Sequence, residues 1–106
     1  MMARITRDAR PLYIIAPSLD MCRKAALAHG LDPARLDNMR TITSAYQLRG
    51  TRPGTPFITH ERQHWVRAMP DIFALDQAID LMIRTGRLRL AQAHDLAAAQ
   101  GEGVDQ

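Results

Sequence analysis

Residues 12–18 read LYIIAPS, and this stretch decides the fold class. Its five leading apolar residues, with β-forming side chains at their centre, predict a short strand that is covered on both faces, as central strands of parallel sheets are. Pro17 ends this strand, and Ser18 is a good N-cap for the helix predicted over residues 19–29. Because a strand followed at once by a helix is the first half of a βαβ unit, the sequence indicates an α/β domain.

The rest of the chain continues this alternation. The β-rich stretch at residues 40–43 and the apolar run at residues 56–59 predict a second and a third strand. An apolar stripe at residues 72–83 predicts an amphipathic helix with Asp76 on its polar side, and a last helix is expected over about residues 88–99. We therefore expect a small, three-stranded parallel sheet packed by about three helices, with right-handed crossovers and a Rossmann-like arrangement.

Length and composition limit the classes of protein that fit. The 106 residues, 46% of them hydrophobic, predict one domain at residues 11–100, between a basic lead-in at 1–10 and a disordered tail at 101–106. No apolar run approaches the roughly 18–20 residues of a membrane-spanning helix, and no secretory signal is visible. The single cysteine, Cys22, allows no internal disulfide and is expected in the core. We expect a cytoplasmic protein that does not bind membranes and that a second copy could stabilise as a homodimer.

Positive charge is concentrated in the front part of the chain. Residues 1–67 carry eleven Lys and Arg against five acids, whereas residues 68–106 carry three Arg against six acids. Such a surface attracts phosphates or an acidic protein. The alternative interpretation is that the arginines are scattered over a solvated face and reflect only the coding bias of a GC-rich genome. A nucleic-acid-binding domain is therefore one hypothesis, and its candidate residues are Arg40, Arg49, Arg52, Arg62 and Arg67.

Polar residues that follow the strands of a parallel sheet meet at one edge, which is where ligands bind in open α/β sheets. The first strand–helix junction contains no glycine and no Lys-Ser/Thr pair, so a phosphate-binding loop is not expected there. The predicted binding edge consists of Ser18, Ser44, Tyr46, Arg49, Thr59 and Arg62, with His60 and Glu61 beside them.

The sharpest local motif is His60-Glu61-Arg62-Gln63-His64, a literal H-E-x-x-H. Thr59 is a suitable cap for a helix of about ten residues ending at Met69. Residues four apart share a helix face, so two imidazoles in this spacing can hold one Zn²⁺ while the glutamate takes a proton from bound water.

These five residues resemble the zincin metallopeptidases. The resemblance implies that His60 and His64 are zinc ligands and that Glu61 is the general base of a zinc-dependent hydrolase. The motif departs from the zincin pattern because it contains the cation Arg62 and lacks a third ligand at a family spacing. The alternative is a polar surface turn that binds no cofactor and has Trp65 and Val66 packed inward.

A second resemblance covers about residues 11–60. The first β–α unit, the segment at residues 42–50 and the run at 55–58 are similar to small phage-encoded proteins with a Rossmann-like half-fold that lacks a phosphate loop. This resemblance implies a non-enzymatic accessory protein that acts on a host protein in the host cytoplasm, and it carries over no catalytic residue. Binding to a protein partner is thus the leading hypothesis, with zinc hydrolysis and nucleic-acid binding as alternatives.

Overall fold

A computed structural model describes residues 11–34 and 38–100, so the predicted lead-in at 1–10 and the predicted tail at 101–106 lie outside the described residues. Strands and helices alternate as the sequence indicates, and the α/β class is confirmed. The elements are β1 (Leu12–Ile15), α1 (Leu19–Ala28), β2 (Met39–Ile42), β3 (Thr55–Ile58), α2 (Pro70–Arg84), β4 (Leu88–Leu90) and α3 (Ala93–Ala99), with 3₁₀ turns at Ala45–Leu48 and Arg62–His64.

The described strands form one parallel sheet in the order β2-β1-β3-β4. The predicted number of three strands is wrong, because Leu88–Leu90 forms a strand beside Thr55–Phe57 instead of the first turn of the last helix. Three alternating residues are too few to separate a strand from a helical turn by periodicity. This segment is a strand because it pairs with β3, and no local sequence pattern shows that pairing.

The strand order places helices on both faces of the sheet. The chain moves through α1 to one edge strand, β2, and through α2 to the other, β4. Right-handed connections in opposite directions put these two helices on opposite faces, which we call the α1 side and the α2 side. Helix α3 lies on the α1 side, where the side-chain carbonyl of Gln100 accepts a hydrogen bond from the backbone N–H of Asp32 at 2.9 Å. The Ala45–Leu48 turn packs against α2.

The core fills both sides. Ile14 and Cys22 are buried on the α1 side, and the Cys22 thiol donates a hydrogen bond to the Ile14 carbonyl at 3.3 Å. Burial raises the pKa of the Cys22 thiol, so it stays protonated and acts as a small core residue, as predicted. Leu75 and Ile79 of α2 are fully buried, and each contributes about 1.5–3 kcal/mol. No helix in residues 11–34 and 38–100 is long and apolar enough to cross a bilayer.

Candidate functional site at the carboxyl edge of the sheet

Since the described strands are parallel, the segments that follow them meet at one end of the sheet, which we call the carboxyl edge. Ser18 follows β1, Ser44 and Tyr46 follow β2, and Thr59 follows β3. Arg49 comes directly after the Ala45–Leu48 turn. The structure thus gathers these predicted residues at the same edge.

The small polar residues of this edge have structural partners. The Ser18 hydroxyl accepts a hydrogen bond from the backbone N–H of Met21 at 3.2 Å and caps α1. After β2, the side-chain carbonyl of Gln47 accepts hydrogen bonds from the backbone N–H groups of Thr43 and Ser44 at 2.7 and 3.2 Å. These contacts fix the ends of the first two strands and orient the residues that follow.

Tyr46 is the most exposed aromatic residue in the described part of the chain, with 73% of its surface accessible. The guanidinium group of Arg49 lies over its ring, 5.1 Å from the centroid. An exposed cation–π contact of this kind is worth about 0.5–1 kcal/mol. It holds a flat, solvent-facing ring and a cation side by side.

The predicted helix over residues 59–69 is wrong. The chain forms only the short 3₁₀ turn Arg62–His64, which it enters through Glu61 in the left-handed region at φ 50°. His60 and His64 therefore do not share an α-helical face, which the zincin arrangement requires. Nε2 of His60 lies 3.7 Å from Oε2 of Glu61. Within the described residues, no group of three or more His, Cys, Asp or Glu side chains is placed to hold a metal ion.

An ion-pair network fixes this segment on α2. Nε of Arg62 lies 2.6 Å from Oδ1 of Asp76, and its Nη2 lies 2.7 Å from Oδ1 of Asp80. Nε of Arg67 lies 3.0 Å from Oδ2 of Asp76, and its Nη2 donates to the Arg62 carbonyl at 3.0 Å. We call these four residues the arginine clamp. Asp76 and Asp80 are one helical turn apart and would repel each other without the guanidinium that bridges them.

The clamp changes the ionisation of its members. Burial alone raises the pKa of the Asp76 carboxyl, but hydrogen bonds from Arg67 and Arg62 outweigh burial and lower this pKa below its ordinary value. Burial likewise opposes the charge of Arg62, but the hydrogen bonds that its guanidinium donates to Asp80 and Asp76 raise its pKa all the same. Arg62 and Arg67, predicted as ligand contacts, thus bind the carboxylates of α2. The prediction that Asp76 faces solvent is wrong, since only 7% of its surface is accessible.

Trp65 gives the segment a second attachment. Its side chain is buried, and the indole N–H donates a hydrogen bond to the His60 carbonyl at 3.2 Å. The inward packing predicted for Trp65 is confirmed, whereas that predicted for Val66 is wrong, because Val66 is 58% exposed. The turn therefore buries one large side chain and presents the next to solvent.

Exposed apolar side chains collect at the carboxyl edge. Of the nine large apolar residues that are exposed within the described ranges, six follow or end a strand there or lie at the start of α2. The hydrophobic pattern of the sequence did not predict this cluster. One signal was present, because Phe73 lies about 200° around the helix from the core residue Leu75 and so falls opposite it. The six are Leu19, Tyr46, Val66, Met69, Phe73 and Leu90.

No family model matches this chain. Neither a curated protein nor a solved structure matches it either. The carboxyl edge is an apolar and partly cationic surface at the end of a four-stranded parallel sheet.

Proposed function

We propose that this chain is a non-enzymatic accessory protein that binds a protein partner through its carboxyl edge. The observation that carries the proposal is the grouping of exposed apolar side chains at this one end of the sheet. The resemblance to phage-encoded accessory proteins supplies the class of partner, a bacterial host protein. The proposed scaffold is a Rossmann-like half-fold. The strand order β2-β1-β3-β4 supports this scaffold, because the chain reverses its direction across the sheet after β2.

The densest part of the surface is the docking cluster, which we define as Val66, Met69 and Phe73. These residues fall within eight positions of the chain and are 58%, 55% and 49% exposed. Aromatic residues and methionine are enriched at protein interfaces, and removing apolar surface from water yields about 25 cal/mol per Å². The arginine clamp and Trp65 fix the loop that enters this cluster, so little ordering entropy remains to be lost on binding.

The polar neighbours of the cluster suit the border of an interface. Tyr46 and Arg49 form a stacked pair after β2, while Glu61 and His64 are exposed in the loop before the cluster. Interfaces with an apolar centre commonly have such a polar rim, which sets orientation more than affinity.

The first strand–helix junction favours a protein ligand over a nucleotide. A phosphate site at this position uses glycines, whose backbone N–H groups approach the phosphate closely. Residues 16–19 here read APSL, and the Ser18 hydroxyl caps the helix itself. Pro17 removes one of the N–H donors that such a cradle needs.

Capture from bacterial lysates with the immobilised full chain tests this function. We expect the same host protein to be retained by the wild type and lost when Phe73→Glu or Met69→Glu places a carboxylate in the docking cluster. Burying an unpaired charge at an interface costs several kcal/mol, so retention should fall at least a hundredfold. Quantitative mass spectrometry of the eluates gives the ratio.

Leu81→Glu is the matched control. Leu81 lies on the same helix, is 50% exposed and is two turns away from Phe73. The control should retain the partner as the wild type does. Equal loss in all three variants, equal retention in all three, or no protein captured from any of several bacterial lysates would each contradict the proposal.

A further inference from the structure

The basic side chains of the described residues fall into two groups of five. Arg23, Lys24, Arg62, Arg67 and Arg89 form ion pairs with aspartates. The second group forms no ion pair within residues 11–34 and 38–100, and its charge is available to a ligand. We call this group the open arginines, and they are Arg40, Arg49, Arg52, Arg84 and Arg87.

Arg40 belongs to the α2 side of the sheet. It is the register partner of Tyr13, and its guanidinium lies 5.7 Å from the centroid of the Tyr13 ring. The next residue pair along these strands, Ile14 and Thr41, lines a shallow cavity of about 170 Å³ together with Cys22 of α1. Because successive side chains of a strand point to opposite faces, Arg40 points away from α1.

The other four open arginines belong to the same side. Arg49 and Arg52 lie on the connection from β2 to β3, which packs on α2 through the Ala45–Leu48 turn. Arg84 is the last residue of α2, and Arg87 lies three residues further along the chain, directly before β4. The Arg87 guanidinium donates to the Thr51 carbonyl at 2.8 Å and so joins the end of α2 to the connection that carries Arg52.

The two sides of the sheet therefore differ in charge. In the described ranges, the α2 side has seven arginines and four acids, whereas the α1 side has three basic and three acidic residues. The arginine clamp balances two of the four acids on the α2 side. Glu61 and Asp71, the other two, lie at the carboxyl edge, which they share with Arg49 alone of the open arginines. Within the described residues, the other four open arginines have no acid among them.

We propose that the α2 side binds single-stranded nucleic acid. The open arginines contact phosphates, and a base stacks on Tyr46, whose ring is 73% exposed and bears Arg49 on one face. The exposed ring distinguishes this ligand from a duplex, whose bases are already stacked. The nucleic-acid site predicted from the sequence included Arg62 and Arg67, which pair with aspartates in the structure. The site proposed here contains Arg84 and Arg87 in their place. Tyr46 and Arg49 border the docking cluster as well, whereas Arg84 and Arg87 lie at the far end of α2 from it. The two proposals are tested with different variants and different ligands, so the failure of one is distinguishable from the failure of the other.

Fluorescence anisotropy with a labelled 20-nucleotide oligodeoxythymidine tests the proposal. Five phosphate contacts to a single strand give a slope of log K against log salt of about −3.5, which is a loss of about a hundredfold in affinity between 50 and 200 mM salt. The triple variant Arg49→Gln, Arg52→Gln, Arg84→Gln should make this slope less negative by about 2. Tyr46→Ala should weaken binding about tenfold, with the slope unchanged.

The matched control is Arg23→Gln with Lys24→Gln, which removes two cations from the α1 side and should leave the slope unchanged. Circular dichroism and thermal unfolding establish that each variant is folded. The proposal is overturned if the control changes the slope as much as the triple variant does, or if the wild type shows no binding at 50 mM salt. Equal competition by polyglutamate of the same charge would assign the surface to an acidic protein, and tighter binding of duplex DNA would remove the stacking role of Tyr46.

Discussion

Asp76→Asn is expected to destabilise the fold by about 2 kcal/mol, because it removes the carboxylate that the guanidinium groups of Arg62 and Arg67 share. Fully buried pairs cost more to break, but both arginines retain access to water here. For a domain of this size the change corresponds to a fall of about 10 °C in Tm. Thermal and urea unfolding followed by circular dichroism measure it.

Asp80→Asn is the control, since the Asp80 carboxylate is 54% exposed and, within residues 11–34 and 38–100, pairs only with Arg62. It should cost less than about 1 kcal/mol. Equal effects of the two substitutions would contradict the role assigned to Asp76.

The stability contributed by Asp76 should also depend on pH. Its carboxyl pKa is lower in the folded chain than in the unfolded chain, so the folded state binds fewer protons. This contribution is present above the unfolded pKa of about 4 and is lost as the pH falls through the lower, folded pKa. The Arg89 hydrogen bond likewise lowers the pKa of Asp95. The wild type should therefore lose more stability than Asp76→Asn between pH 5 and about pH 2, and the difference isolates Asp76.

Trp65→Ala is expected to destabilise the fold by about 3–4 kcal/mol, the largest effect among the substitutions considered. The indole is buried, and its removal leaves a cavity as well as a lost hydrogen bond to the His60 carbonyl. Equilibrium unfolding in urea at pH 7, followed by circular dichroism, measures this loss.

Trp65→Phe separates the two contributions. Phenylalanine fills most of the site but cannot donate a hydrogen bond, so it should cost about 1 kcal/mol. A cost below about 1 kcal/mol for Trp65→Ala would contradict the buried attachment of this loop.

The first strand and helix were predictable because local chemistry decides them. All four residues of β1 are buried, as a central strand requires, and Ser18 forms the cap that its position predicts. The polar part of the carboxyl edge was predictable for a related reason. Once strands are parallel, the residues that follow them must lie at the same edge, whatever the strand order.

The loop at residues 59–69 was not predictable, because contacts distant in sequence decide it. Arg62 and Arg67 reach a carboxylate 14 and 9 residues further along the chain, and Glu61 takes up a left-handed conformation at the entrance to the turn. A residue other than glycine in this region costs about 1–3 kcal/mol, which the clamp offsets. Local propensity favoured a helix, and the clamp and Trp65 stabilise a loop instead.

The apolar part of the edge was missed because apolar residues were expected in the core. Met69 and Phe73 lie on either side of the first residue of α2. The apolar stripe of the helix only begins there, so the spacing of apolar residues does not show whether these two side chains are buried or exposed. Exposure in the folded chain separates them from Leu75, because Met69 is 55% and Phe73 is 49% exposed whereas Leu75 is fully buried.

Hydrogen–deuterium exchange of the complex with the captured partner tests most directly whether the carboxyl edge is the docking surface. Binding should slow exchange in peptides that cover residues 43–49 and 59–73, and leave the opposite end of the sheet, residues 84–88, unchanged. Slower exchange confined to residues 84–88 or to the α1 helix, with residues 59–73 unaffected, would contradict docking through the carboxyl edge.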